Sequence, residues 1–293
     1  MQSIAIIGLG LIGGSFALAL RRTQPNTRLI GIDRDEASLD AALRCGVIDE
    51  KGNFTSVAQC DLVLLAVPGR QIEAVLRGIA LYLQDETLLT DTGSTKGDVE
   101  AVARRVLGWR VTQFVPAHPI AGREQSGIAA ATADLFEGKN VVLTPHVDNE
   151  AAVVARIREV WQRCGARVIE MPADRHDAVF AAVSHLPHLL AFALVDALAK
   201  RADARTLFSF AASGFRDFTR IASSSPEMWR DIALNNRDAL VAELDAYLEH
   251  LQQLRNEVAA GNGERIEALM VDAREARNRW LADDLDHFDS GAS

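Results

Sequence analysis

The chain has 293 residues, 48% of them hydrophobic and 24% charged, with a formal net charge of −9. That length predicts about two domains, and the composition is that of an ordinary globular protein, which excludes a disordered or fibrous one. The negative charge argues against a general binder of nucleic acid or anionic membrane, though a few arginines can still make one cleft attractive to a small anion.

The first stretch, SIAIIGLGLIGGSFALALRR, reads as a strand, a glycine-rich turn and a helix. From Ser3 to about Met171, short β-rich runs (SIAIIG, RLIGID, DLVLLAV, TLLTD, VTQFVPAH, NVVLTP, ARVIEM) alternate with segments of three-and-four apolar spacing. This alternation predicts an α/β domain with a mostly parallel, doubly wound sheet of Rossmann-like type, placed at 1–171. From about Asp174 to Leu281 only helical periodicity remains, so 172–293 is expected to be an all-α domain, with 283–293 a frayed acidic tail. Its long amphipathic helices need a cover, either an intramolecular core or a dimer seam.

Cys45, Cys60 and Cys164 are odd in number, widely spaced and without a CxxC pair. They are expected to be buried apolar residues in a reducing compartment, not disulfides or metal ligands. No leader pattern precedes the first strand, and no apolar run is expected to approach the roughly 20 residues that span a bilayer. The expected location is cytoplasmic, with no membrane partner.

Gly8-x-Gly10-x-x-Gly13 follows a strand and opens a helix, the pattern in which a pyrophosphate rests against the helix N-terminus. Gly8, Gly10, Leu11, Ile12 and Gly13 are therefore candidate cofactor residues. RLIGID ends in Asp33, twenty residues beyond Gly13, where an acid accepts hydrogen bonds from ribose hydroxyls and repels a 2′-phosphate. NAD is thus expected over NADP, with the adjacent Arg34 leaving room for NADP as the weaker alternative. Val67 and Pro68 end another strand at the same crevice, as an apolar wall. Asp91, Ser94 and Lys96 end the next, where a plain loop with a helix N-cap is the competing reading.

His118 is expected at a strand carboxyl end in this crevice, able to take a proton from an alcohol as hydride leaves the same carbon. His185 and His188 lie three apart with Pro187 between them to kink the helix; no carboxylate or cysteine completes a metal set, and no metal is expected. Arg216, Asp217, Arg220 and Trp229 form a polar cluster that reads either as a solvated face or as a carboxylate pocket.

GLGLIGGS with Asp33, DTGSTKG, HPIAGREQSG, SHLPH and GFRDFTRIASSSPEMWRD occur in this order, and with them the chain resembles the prephenate and arogenate dehydrogenases of tyrosine biosynthesis over about residues 3–281. The resemblance implies a Rossmann-like domain joined to a helical domain that dimerises, and NAD-dependent oxidative decarboxylation of a small anionic cyclohexadienyl substrate. It implies that His118 removes the ring hydroxyl proton, that Ser94 orients that histidine and the hydroxyl, that Arg220 binds the ring carboxylate and that His188 contacts the substrate side chain. Glu124, Ser184, His185 and Trp229 lie on matching motifs without an assigned role. Two other readings are a β-hydroxyacid dehydrogenase, from fold analogy, and an NAD-sensing regulator that has lost the chemistry.

Overall fold

The computed structural model describes residues 1–123 and 125–282; Glu124 and the expected tail at 283–293 lie outside the described residues. The run SIAII forms β1 (Ser3–Ile7), buried at every position as a strand covered on both faces must be. It leads into α1 (Leu11–Thr23). There follow β2 (Arg28–Ile32), α2 (Glu36–Arg44), β3 (Glu50–Lys51), β4 (Leu62–Leu65), α3 (Ile72–Ile79) and β5 (Leu88–Asp91). Asp35 starts α2 by accepting hydrogen bonds from the amides of Ala37 and Ser38. These strands make a parallel five-stranded sheet in the order β3-β2-β1-β4-β5. One face carries Phe16, Leu20, Phe136 and Trp161, the other Val57, Leu76, Ile79, Val99 and Phe114. The fold is Rossmann-like, with the parallel sheet between helical layers.

The chain beyond α4 (Gly97–Leu107) departs from the expected fifth parallel strand over VTQFVPAH. A 3-10 turn takes up Gly108–Gln113, Phe114 makes an isolated parallel bridge to Leu89, and β6 is only Ala117–Pro119. Pro116 and Pro119 supply the reason, since neither can donate to a ladder. β6 instead pairs antiparallel with β7 (Asn140–Leu143); α5 (Ala151–Arg163) then leads to β8 (Arg167–Glu170), which pairs parallel with β7 in a separate three-stranded sheet.

After Glu170 the described chain is helical: α6 (Ala173–Phe180), a π-helical turn (Ala181–His185), α7 (Leu186–Ala199), α8 (Ala204–Ser209), α9 (Ser213–Thr219), a 3-10 turn (Arg220–Ser223), α10 (Pro226–Asn235), α11 (Arg237–Ala260) and α12 (Gly263–Leu281). Ala173–Ala199 runs as one helical stretch, long and apolar enough by length and composition to cross a bilayer. This corrects the expectation that no apolar run approaches that length. Pro187 falls in the first turn of α7, and the π-helical turn before it re-registers the backbone bonds, so the helix continues.

The described residues up to Leu240 form one compact unit and those from Val241 a second. In the second, Leu248, Val258, Met270 and Trp280 are exposed, and no residue of α12 is buried. Cys60 and Cys164 are buried with their thiols pushed up by burial, Cys60 to about 11. Cys45 is exposed at the end of α2, contrary to the expected burial.

Candidate active site and dinucleotide cleft

The glycine turn is built by close approach. Gly8 has φ +100°, and a Cβ there would sit 2.4 Å from the Ala66 carbonyl oxygen. At Gly13 a Cβ would lie 2.0 Å from the Gly8 carbonyl oxygen, so only glycine lets α1 pack against the turn. Gly10 is different: a Cβ there would meet nothing within 4 Å. It precedes α1 without a side-chain cap, leaving the first-turn amides of Leu11, Ile12 and Gly13 without intrahelical acceptors. The Leu11 side chain is buried and that of Ile12 packs against the core, so these two residues offer backbone only.

The Asp33 carboxylate accepts from the Leu9 amide at 2.7 Å and the Asp35 amide at 2.9 Å, which fixes it at the end of β2. Gly8, Gly10, Asp33, Arg34, Val67 and Pro68 line a cleft of about 900 Å³ together with Phe54 and Tyr82; Leu11, Ile12 and Gly13 are not among its lining residues. An uncapped helix N-terminus, open space at Gly10 and a held acid at the ribose position fit a dinucleotide.

At the end of β5, Asp91 and Lys96 are both fully buried. Lys96 Nζ donates to Asp91 Oδ2 at 2.6 Å and to the Ala117 carbonyl at 2.8 Å, and the Ala117 amide donates to Asp91 Oδ1 at 3.0 Å. This knot ties β6 to the carboxyl end of β5. His118 is thus the middle residue of β6, next to the end of the parallel sheet and not at the carboxyl end of one of its strands.

His118 is partly buried, with its ring against Phe180 (centroids 4.8 Å apart) and His176 (5.1 Å). Its Nδ1 is 2.9 Å from Nε2 of His176, and Nδ1 of His176 is 2.8 Å from Oδ1 of Asp177. Asp177 also accepts from the amides of Lys96 (2.9 Å) and Gly97 (2.8 Å) at the start of α4. Burial, then the neighbouring His176, Lys96 and His185, push the His118 imidazole well below its usual value, so it is a neutral base at neutral pH. His118 Nδ1 is thus engaged with His176; Ser94, expected to orient this ring, lies half-buried in the β5–α4 loop.

The helical turns after α6 bring the other expected residues together. The His188 ring stacks on Trp229, centroids 3.6 Å apart and 20° from parallel, and its Nδ1 donates to the Ser184 carbonyl at 2.9 Å. Burial, opposed by that bond, and then the Arg220 guanidinium lower its basicity. Arg220 opens the 3-10 turn after α9 and is exposed. His185 is buried, 3.1 Å from Asn236 through Nδ1, and burial takes it to about 4. One ring nitrogen of His185 is thus engaged by Asn236, and one of His188 by the Ser184 carbonyl.

No motif in the sequence marks His176 and Asp177. The available signal was the spacing of His176 and Phe180, four apart on one helical face, beside an acid at the next position.

The prephenate dehydrogenase nucleotide-binding domain family matches residues 16–170, and the prephenate dehydrogenase dimerization domain family matches residues 172–272. The chain is 38% identical over 281 residues to the prephenate dehydrogenase of Bacillus subtilis, covering 94% of this chain and 76% of that one. It is 35% identical to the cyclohexadienyl dehydrogenase of Zymomonas mobilis, covering 98% and 97% respectively. The crystal structure of A. aeolicus prephenate dehydrogenase with hydroxyphenyl propionate and NAD+ superposes with a TM-score of 0.90 at 35% identity, over 95% of this chain and 98% of that one. With its Rossmann-like sheet, glycine turn and histidine-bearing helices, the chain belongs to the prephenate dehydrogenase family of oxidoreductases.

Proposed function

We propose that this chain oxidatively decarboxylates prephenate, arogenate or both with NAD as hydride acceptor. The observation that carries the reading is a neutral, partly buried histidine, His118, held beside the end of a parallel sheet whose first turn is shaped for a dinucleotide. NAD, when bound, accepts hydride from the ring carbon that bears the hydroxyl. His118 takes the hydroxyl proton, and the ring carboxylate leaves as carbon dioxide while the ring becomes aromatic. Arg220 pairs with the carboxylate by charge-assisted hydrogen bonds, and His188, fixed on Trp229, meets the side chain that distinguishes the two substrates. Ser94 contacts the substrate hydroxyl from the β5–α4 loop.

Asp33 supports NAD over NADP, since a carboxylate at the ribose repels a 2′-phosphate, with Arg34 leaving NADP as a weak alternative. Residues 1–171 supply the cofactor half and 172–293 the substrate and dimerisation half of this reading. The dimerization-domain match and exposed apolar side chains such as Val183, Phe210 and Phe218 support a homodimer, and an acidic biosynthetic enzyme of this kind belongs in the cytoplasm. NADH appearance with prephenate and with L-arogenate in parallel tests the reading. Turnover of either, with His118→Asn lowering kcat by about 10²- to 10⁴-fold and leaving KM nearly unchanged, is the expected result. NAD binding without turnover of either substrate refutes it.

A further inference from the structure

The base proposed above does not stand alone. His176 is fully buried, and both of its ring nitrogens are engaged, one by His118 and one by Asp177. Asp177 is in turn held by two backbone amides, those of Lys96 and Gly97. Three side chains therefore form a line that starts on a helix N-terminus and ends at the ring that faces the chemistry.

The protons along this line follow from what each group can do. Burial alone would raise the Asp177 carboxyl, but the bond from His176 and the two α4 amides outweigh it and hold the group below the usual carboxylate range. Asp177 is therefore an acceptor only. Burial keeps His176 neutral against the opposing pull of Asp177. A neutral imidazole carries one N–H; with a carboxylate at Nδ1, that N–H is on Nδ1, which leaves Nε2 as an acceptor. The 2.9 Å bond between the rings then requires the proton to be on His118 Nδ1. His118 Nε2 is left with its lone pair.

We propose that His176 and Asp177 are positioning residues that fix His118 in the tautomer whose Nε2 is the base, the Asp177 carboxylate also offsetting the positive charge formed when His118 takes the substrate proton. This rests on the reading of His118 as the base. No other reactant is needed: the hydroxyl proton moves to His118 Nε2, His118 Nδ1–H keeps donating to His176, and the new positive charge faces a neutral ring backed by a carboxylate. The same logic holds a serine protease histidine in its working tautomer. The charged and titratable groups around this line are Asp91 and Lys96 at the end of β5, Asp98 in α4, His176 and Asp177 in α6, and His185 in the π-helical turn.

The variants that separate the possibilities are Asp177→Asn, His176→Phe, His176→Gln and His118→Asn, each in the full chain with NAD affinity and thermal midpoint recorded. In Asp177→Asn the negative charge behind His176 is lost and one of the two acceptor oxygens becomes an NH2, so the Nδ1–H tautomer of His176, and through it that of His118, is no longer enforced. The expected result is a kcat loss of about 10²-fold with KM changed only a few-fold. The acidic limb of kcat/KM should also move to lower pH, because the carboxylate that favours imidazolium is gone. His176→Phe leaves the Asp177 bonds to α4 intact and should lose kcat similarly, while His176→Gln, whose side-chain oxygen can accept from His118 Nδ1–H, should recover part of it. If Asp177→Asn disturbs α4 and fails to fold, the Phe and Gln pair decides the matter alone. Wild-type kcat in the Asn and Phe variants alongside an inactive His118→Asn overturns the positioning role and leaves the base reading standing. A kcat loss with an unmoved limb and no recovery in His176→Gln also overturns it, by marking the role as structural. Wild-type kcat in His118→Asn overturns the underlying reading instead.

Discussion

Gly10 and Gly13 stand three residues apart in the same turn, yet replacing each with alanine should have opposite consequences for the fold. At Gly13 the new methyl would lie 2.0 Å from the Gly8 carbonyl oxygen and 3.1 Å from the Ala66 Cβ. Relief of such a backbone clash requires α1 to move off β1 by about 1 Å, and overpacking of that order costs about 1–3 kcal/mol. For a unit of this size that lowers the thermal midpoint by about 2–12 °C. At Gly10 the methyl meets no protein atom within 4 Å and the backbone is extended with negative φ, so stability should change by no more than about 0.5 kcal/mol. The methyl instead occupies the space through which a pyrophosphate reaches the amides of α1, so Gly10→Ala should raise the Kd for NAD by at least about tenfold, or 1.4 kcal/mol. Differential scanning fluorimetry and NAD titration on the two variants separate the effects. A Gly10→Ala protein that binds NAD as tightly as the parent, or one that melts as early as Gly13→Ala, refutes the assignment of this turn to the dinucleotide.

Lys96→Met removes one member of a fully buried ion pair and leaves Asp91 uncompensated, so it should destabilise the chain by about 3–5 kcal/mol in denaturant titration; because Lys96 also holds the Ala117 carbonyl, kcat should fall with it. Arg220→Ala should raise the substrate KM well beyond any change in kcat, since it removes a carboxylate contact present in the ground state. Stability should fall as pH drops below about 6.5. His118, His176, His185 and His188 all have lowered folded-state basicity, so the unfolded chain binds more protons in this window and ΔG of unfolding declines until the folded imidazoles titrate, for His185 at about 4. His185→Gln should flatten that decline, and a slope equal to the parent's between pH 6.5 and 4 would count against a neutral buried His185.

The parts of the molecule that could be read from the sequence are those whose physics is local. Strand-turn-helix units announce themselves within some twenty residues, and the glycines at 8 and 13 are demanded by contacts with a neighbouring turn. The VTQFVPAH run reads as a central strand from its apolar pattern, but Pro116 within it and Pro119 directly after it remove donors that a central strand needs. His188 and Arg220 acquired roles only through the family's motifs, as no spacing rule connects them. His176 was invisible for a different reason: it lies 58 positions from His118, and their hydrogen bond exists only because α6 packs over β6 and the start of α4. Asp177 shows why such a residue is hard to find and hard to replace. It completes the N-terminus of α4 as an ordinary cap would, and the same carboxylate dictates the proton position on a histidine that then dictates the proton position on the base. Helix cap and tautomer control share one carboxylate, Oδ1 facing both His176 and the Lys96 amide, so a shift of the loop that carries Ser94 and Lys96 is expected to change the chemistry at His118.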